Sequence, residues 1–197
     1  MPEIDAALLK KMASLGRDPD FPAERALPVT MMVLDADGVL TDGGLYYDSS
    51  GLALKRFDVQ DGLGIKLARK LGLESVIISG MKSGALERRA GDMGVTECLV
   101  GQLEKLPCLQ KILRERNLDW ANVAYMGDDL VDLPVMLRVG LAVTVRNAQP
   151  EIKSIAHYVS PLSGGQGAVR HTLRQILMTQ GRQEEVAAWF VNRAKEL

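Results

Sequence analysis

Carboxylates stand at places where this chain otherwise buries apolar side chains. Met31-Met32-Val33-Leu34 runs straight into Asp35-Ala36-Asp37-Gly38-Val39-Leu40. Val123-Ala124-Tyr125-Met126-Gly127 runs into Asp128-Asp129, with Asp132 close behind. Carboxylates are costly to bury, and folding alone gives no reason to put them at the end of a buried strand. Asp35 and Asp128 can supply two carboxylate oxygens to Mg²⁺, a hard cation that prefers oxygen ligands. Ser79 and Lys105 can bind an anion, Lys105 as a point charge. Such a set suits phosphoryl chemistry, because a phosphoryl group's charge must be neutralised before a nucleophile can approach.

The elements that must position these groups alternate along the chain. Short apolar runs read as strands: 31–35, 75–79, 98–100, 123–127 and 141–145. Amphipathic stretches between them read as helices: DGLGIKLARKLG, SGALERRAGDMG, LEKLPCLQKILRER and VDLPVMLRVG. Continuous apolar strands followed by helices indicate an α/β fold, a parallel sheet covered on both faces. Ligands of such sheets bind beyond the carboxyl ends of the strands. Asp35, Ser79-Gly80, Lys105 and Asp128 all follow strands and so share that address.

One segment breaks the alternation. GGLYYDSSGLALKRFDV carries two β-rich runs around Ser49-Ser50-Gly51, which predicts a β-hairpin inserted at about residues 43–58. An isolated hairpin is marginal in water, so this one is expected to pack on another surface. Residues 1–28 form an N-terminal appendage: AALLKKMASL suits a short helix, and the prolines of RDPDFPAERALP stop a regular element. The main domain spans 29–180, and 181–197 is a helical tail.

The order DADGVL, Ser79, Lys105, GDDLVD resembles the haloacid dehalogenase superfamily. Its pattern is DxDx[TV][LV], then Ser or Thr, then Lys, then GDxxxD or GDDxxD. The resemblance implies a doubly wound, Rossmann-like sheet and hydrolysis of phosphomonoesters with Mg²⁺. It implies that Asp35 attacks phosphorus to form an aspartyl-phosphate, with Asp37 protonating the leaving alcohol and then activating water. Metal ligands would be Asp35, Asp128 and the backbone carbonyl of Asp37. Ser79, Gly80 and Lys105 would hold the phosphate. Asp129 and Asp132 would support the loop or orient Lys105.

Within that superfamily, the stretch from about Val33 to Gln180 resembles the capless phosphatases of eight- and nine-carbon sugar acids, such as 3-deoxy-D-manno-octulosonate 8-phosphate. This implies a homotetramer whose hairpins form a central barrel and whose neighbours close each site. It also implies a role in lipopolysaccharide biosynthesis, and substrate-side positions at Asp58, Asp61, Gly62, Lys66 and Arg89. Two positions depart from the family's pattern: Gln60 and Met81 stand where its members carry Arg.

Composition excludes some other classes. With 24 basic and 25 acidic residues and a net charge of -1, the chain has no general attraction for nucleic acid or anionic membranes. No apolar run is long enough for a signal peptide or a membrane span, so the expectation is a cytoplasmic protein. Cys98 and Cys108 lack metal or disulfide spacing and read as reduced, packed thiols. His157 and His171 have no ligand-spaced partner and read as surface or helix-end residues. The glycines of Gly164-Gly165-Gln166-Gly167 follow no phosphate-loop pattern and predict a conformational loop ahead of a helix.

Overall fold

In the computed structural model, which describes residues 10–11 and 15–195, the sheet is built around β1 (Met31–Leu34), four consecutive buried residues. A hairpin follows, β2 (Tyr46–Asp48) and β3 (Gly51–Leu54), forming a separate two-stranded sheet. The main sheet continues with β4 (Glu74–Ile78), β5 (Glu97–Leu99), β6 (Val123–Gly127), β7 (Leu141–Thr144) and β8 (Tyr158–Val159). All its strands are parallel, in the order β5-β4-β1-β6-β7-β8. The chain runs outward from β1 in one direction and then in the other, so a switch point lies beside β1, where such sheets open their crevice. Met31 pairs with Glu74 on one side and Val123 on the other, so Asp35, Ser79 and Asp128 leave adjacent strands at one level.

Helices cover the sheet. They are α1 (Ala23–Ala26), α2 (Val59–Lys70), α3 (Gly84–Met93), α4 (Lys105–Arg116), α5 (Leu133–Met136), α6 (Pro150–Ile155), α7 (Ala168–Thr179) and α8 (Gln183–Lys195). Helix α2 packs on α7 and α3, whereas α4 packs on α5, and α5 and α6 pack on β7. Right-handed crossovers require this division, because the chain reverses its direction across the sheet after β5. Asp58 starts α2 by accepting from the Gln60 and Asp61 amides, and Ser83 starts α3 by accepting from the Leu86 amide.

The expected elements are present with shifted ends. The first strand stops at Leu34, although the Asp35 amide still donates to the Met126 carbonyl at 2.9 Å. The run expected as one helix from Val131 holds only α5, preceded by a 3₁₀ turn at Leu130–Asp132. Pro134, lacking an amide proton, fits only at its start. Strand β8 and helix α6 carry no clear sequence signal, because two residues show no periodicity and Pro150 reads as a breaker until it is seen opening a helix.

The helix expected at AALLKKMASL lies largely outside the described residues. The segment after it docks on α7. Gln175 accepts from the Asp18 amide at 3.1 Å and donates to the Gly16 carbonyl at 2.7 Å, and Phe21 meets Tyr158 edge to face at 4.9 Å. No helix among the described residues is long and apolar enough to cross a membrane.

Candidate active site

Asp35, Asp128 and Asp132 converge at the carboxyl ends of β1 and β6, with one oxygen of each within 4.8 Å of the others. The Lys105 ammonium, on the first residue of α4, lies 2.6 Å from Asp35 Oδ1 and 2.6 Å from Asp132 Oδ1. Both Lys105 and Asp132 side chains are essentially excluded from water. Burial pulls the Lys105 ammonium down, but the charges of Asp35 and Asp132 more than offset this and raise its pKa. Lys105 therefore stays charged.

One ammonium among three carboxylates leaves the cluster acidic. Burial, then the charge of Asp132, pushes the Asp35 carboxyl up to about 6 against the pull of Lys105. Burial, then the charges of Asp35 and Asp132, pushes Asp128 up to about 8. Asp128 Oδ1 is buried with no hydrogen-bond partner. An orphaned buried oxygen in a cluster short of positive charge fits a divalent cation.

Asp132 belongs to the cluster but has little left for a metal. Its Oδ1 takes Lys105 and the Tyr125 hydroxyl at 2.6 Å each. Its Oδ2 accepts the Asp128 and Asp129 amides at 2.9 and 3.3 Å. With both oxygens engaged, Asp132 orients Lys105 and the loop, and Asp35 and Asp128 are the carboxylates of the cluster with capacity left for a cation. Asp129 accepts from the Leu130 amide and caps the 3₁₀ turn.

Backbone geometry keeps this arrangement tight. Gly38 adopts φ +89°, and a Cβ there would fall 2.0 Å from Asp128 Oδ2, so only glycine allows the Asp35–Asp37 turn to approach Asp128. Gly164 lies against the same turn from outside, where a Cβ would fall 1.7 Å from the Gly38 carbonyl oxygen. The glycine loop ahead of α7 therefore braces the turn, and no pattern of phosphate binding is needed to explain it.

The remaining expected residues divide. Ser79 directly follows β4, beside β1, and is buried; its hydroxyl makes a long bond of 3.4 Å to the Met81 carbonyl. Gly80 follows it, with Leu103 packed against it. Asp37 is not in the acidic cluster: both its oxygens contact Lys55 Nζ, at 2.6 and 2.8 Å. Nothing in the sequence singles out Lys55, since a lysine at a hairpin's end reads as a solvated charge.

Of the expected substrate-side residues, Asp61 is drawn elsewhere. Its carboxylate accepts from the Gly167 amide at 3.3 Å and the Arg170 amide at 2.7 Å, capping α7, while burial raises its pKa to about 6. Asp58 caps α2, and its carbonyl accepts from Arg89 Nη2 at 3.0 Å. Gly62 makes room for that guanidinium, since a Cβ would lie 2.2 Å from Nη2. Lys66 is exposed and lines a groove with Arg69, Lys70 and Trp189. The histidines serve the scaffold: His157 Nδ1 accepts from the Ala142 amide at 2.9 Å, and His171 Nε2 lies 2.8 Å from the Tyr158 hydroxyl. Both cysteines are half-buried and free.

Residues 90–172 match the family model for haloacid dehalogenase-like hydrolases. The chain is 41% identical over 161 residues to the 3-deoxy-D-manno-octulosonate 8-phosphate phosphatase KdsC of Escherichia coli K12, covering 82% of this chain and 86% of that protein. A probable YrbI-family phosphatase from Pseudomonas syringae superposes with a TM-score of 0.85 at 40% identity, over 88% of this chain and 98% of that one. The 3-deoxy-D-manno-octulosonate 8-phosphate phosphatase of Moraxella catarrhalis, in complex with magnesium, phosphate and KDO, superposes with a TM-score of 0.84 at 32% identity, over 88% of this chain and 99% of that one.

Proposed function

This chain belongs to the haloacid dehalogenase-like hydrolases and is a phosphatase, and from that premise we propose that it hydrolyses 3-deoxy-D-manno-octulosonate 8-phosphate with Mg²⁺ as its metal. The observation that carries the reading is the net-acidic cluster of Asp35, Asp128 and Asp132 around Lys105, with one Asp128 oxygen buried and unpartnered. The identity to phosphatases of that substrate extends over most of the chain. A phosphatase of known magnesium content superposes on it.

Asp35, Asp128 and the Asp37 carbonyl would hold the ion, which supplies charge neutralisation at the phosphoryl oxygens. An Asp35 carboxylate oxygen attacks phosphorus, forming an aspartyl-phosphate and breaking the bond to the sugar's terminal oxygen. That oxygen leaves with a proton from Asp37. Asp37, now a carboxylate, takes a proton from water as the water oxygen attacks the same phosphorus. Inorganic phosphate leaves and the Asp35 carboxylate is restored. Lys105 and Ser79 hold phosphoryl oxygens, and Asp132 keeps Lys105 in place. The catalytic domain is residues 29–180, with Arg89 and the start of α2 on the sugar's side.

A second reading keeps the chemistry and changes the sugar, to a nine-carbon keto-deoxy acid 9-phosphate or another sugar phosphate. Gln60 and Met81 weigh against the octulosonate, because neither can form the paired hydrogen bonds that arginine gives a carboxylate. The homotetramer that the family resemblance implies is supported by the hairpin, which exposes Tyr46, Tyr47 and Leu54, at 52%, 64% and 65%, and offers an apolar surface to a partner.

The test measures phosphate release from the octulosonate 8-phosphate with Mg²⁺ and with EDTA, alongside borohydride trapping of a phosphorylated carboxylate. Turnover should stop in EDTA, and Asp35 alone should carry the label. Full turnover in EDTA, or by Asp35→Asn, would falsify the assignment.

A further inference from the structure

Lys55 is delivered into the site by the hairpin, and its side chain is 1% exposed although β2 and the end of β3 lie open to water. Burying an ammonium is unfavourable unless it is paired. The pairing is specific, since Nζ lies 2.6 and 2.8 Å from the two oxygens of Asp37, whose side chain keeps 25% exposure. Two contacts to one planar group fix its rotation. A carboxylate oxygen accepts more than one partner, so the ammonium orients the group without using it up.

The backbone around Lys55 is clamped to the turn it serves. Phe57 bridges antiparallel to Thr41, and Phe57 packs against the core. Arg56 Nη1 donates to the Gly165 carbonyl at 2.8 Å. The Gly165 amide in turn donates to the Val39 carbonyl at 2.9 Å. The chain that follows Asp37, at Val39 and Thr41, is therefore tied to the residues directly after Lys55. A hairpin needed only for association would not require a water-excluded lysine at its foot.

We infer that Lys55 is a positioning residue for the reaction, holding the Asp37 carboxyl in the orientation from which it exchanges its proton with the departing sugar oxygen and with water. This rests on the role given to Asp37 above. The hairpin so becomes part of the catalytic apparatus, not only an association surface. A misplacement of about 1 Å costs on the order of a hundredfold in rate. The loss should be confined to steps that need the proton.

The test uses the full-length Mg²⁺-loaded protein with Lys55→Met and Lys55→Arg, following phosphorylation of Asp35 in single turnovers. One substrate is the octulosonate 8-phosphate, whose alkoxide needs a proton to leave. The other is p-nitrophenyl phosphate, whose nitrophenolate leaves without one. Lys55→Met should slow phosphorylation by the sugar phosphate about 10- to 100-fold with KM little changed, and slow phosphorylation by the aryl phosphate less than about 3-fold. Lys55→Arg, which keeps a cation, should recover much of the loss. Equal losses with both substrates, no loss with either, or an Arg variant no better than Met overturn the role of Lys55. Wild-type protein that is never phosphorylated on Asp35 overturns the hydrolase mechanism itself, and this inference with it.

Discussion

The Tyr125 hydroxyl donates to Asp132 Oδ1 at 2.6 Å, the same oxygen that receives the Lys105 ammonium. Tyr125 is a fully buried residue of β6, so its phenol reaches the site from inside the sheet. Burial first, and the charge of Asp132 next, raise its pKa well above the ordinary tyrosine value, and it remains a donor at any working pH. Asp132 thus carries a buried charge with every oxygen satisfied, which is the condition for keeping such a charge in a core.

Tyr125→Phe should remove that donor and leave the Asp132 charge short of a partner. A hydrogen bond to a charged group is worth about 1.5–3 kcal/mol, so stability in urea should fall by that order. Because Lys105 keeps its two acidic partners, kcat should fall by less than about tenfold. A variant as stable as the parent would show that the contact carries no energy.

Metal binding should be coupled to protons. The folded-state pKa of Asp128, about 8, lies above the unfolded value, so its contribution to metal-free stability is complete at low pH and is lost as pH rises through about 8. In EDTA, Asp128→Asn should therefore melt above the parent, by several times more at pH 8 than at pH 5, at about 2–4 °C per kcal/mol for a chain this size. Mg²⁺ needs ionised carboxylates, so its stabilisation of the parent should grow from pH 5 to pH 8. Equal Mg²⁺-induced shifts at both pH values would remove the coupling.

Gly164→Ala should damage the site from a distance. Its Cβ would meet backbone, the Gly38 carbonyl at 1.7 Å and the Thr41 carbonyl at 2.9 Å, and backbone cannot rotate away. The loop must lift off the turn, and stability should fall by about 2 kcal/mol or more with a loss of at least tenfold in kcat. Gly91→Ala in α3, with open space around it, is the control and should gain about 0.5–1 kcal/mol. Similar effects for the two variants would mean that the brace is not needed.

Substrate recognition should respond to the two missing arginines. Gln60→Arg with Met81→Arg should raise kcat/KM for the octulosonate 8-phosphate about 10- to 100-fold, since one charged hydrogen bond to a carboxylate is worth about 1.5–3 kcal/mol. Turnover of p-nitrophenyl phosphate, which has no carboxylate to read, should change less than about 3-fold. A double variant no better on the sugar phosphate would mean that other groups already bind the carboxylate.

The chemical core is legible in the amino-acid sequence, and for a local reason. A strand buried on both faces must be continuously apolar, so Asp35 and Asp128 stand out where such runs end. Parallel strands joined by helices then bring all such ends to one edge, so the order of motifs is enough to collect Asp35, Ser79, Lys105 and Asp128. Asp132 can be assigned as the partner of Lys105 because it lies in the loop that Asp128 opens.

What the tertiary structure alone decided are pairings between groups that no periodicity links. Lys55 and Asp37 are 18 residues apart in sequence, and their contact depends on how the hairpin folds back over the turn. Asp61 looks like a substrate-side acid in its own segment, yet it caps a helix 106 residues on, because α2 and α7 pack side by side. Tyr125 looks like one more core aromatic, and only the approach of Asp132 beneath Lys105 gives its hydroxyl a task. Apolar patterning encodes which face of an element is buried. It carries no information on which polar atom meets which across a packed interface, because hydrogen bonds need positions accurate to a few tenths of an ångström, and those arise only when the elements have docked.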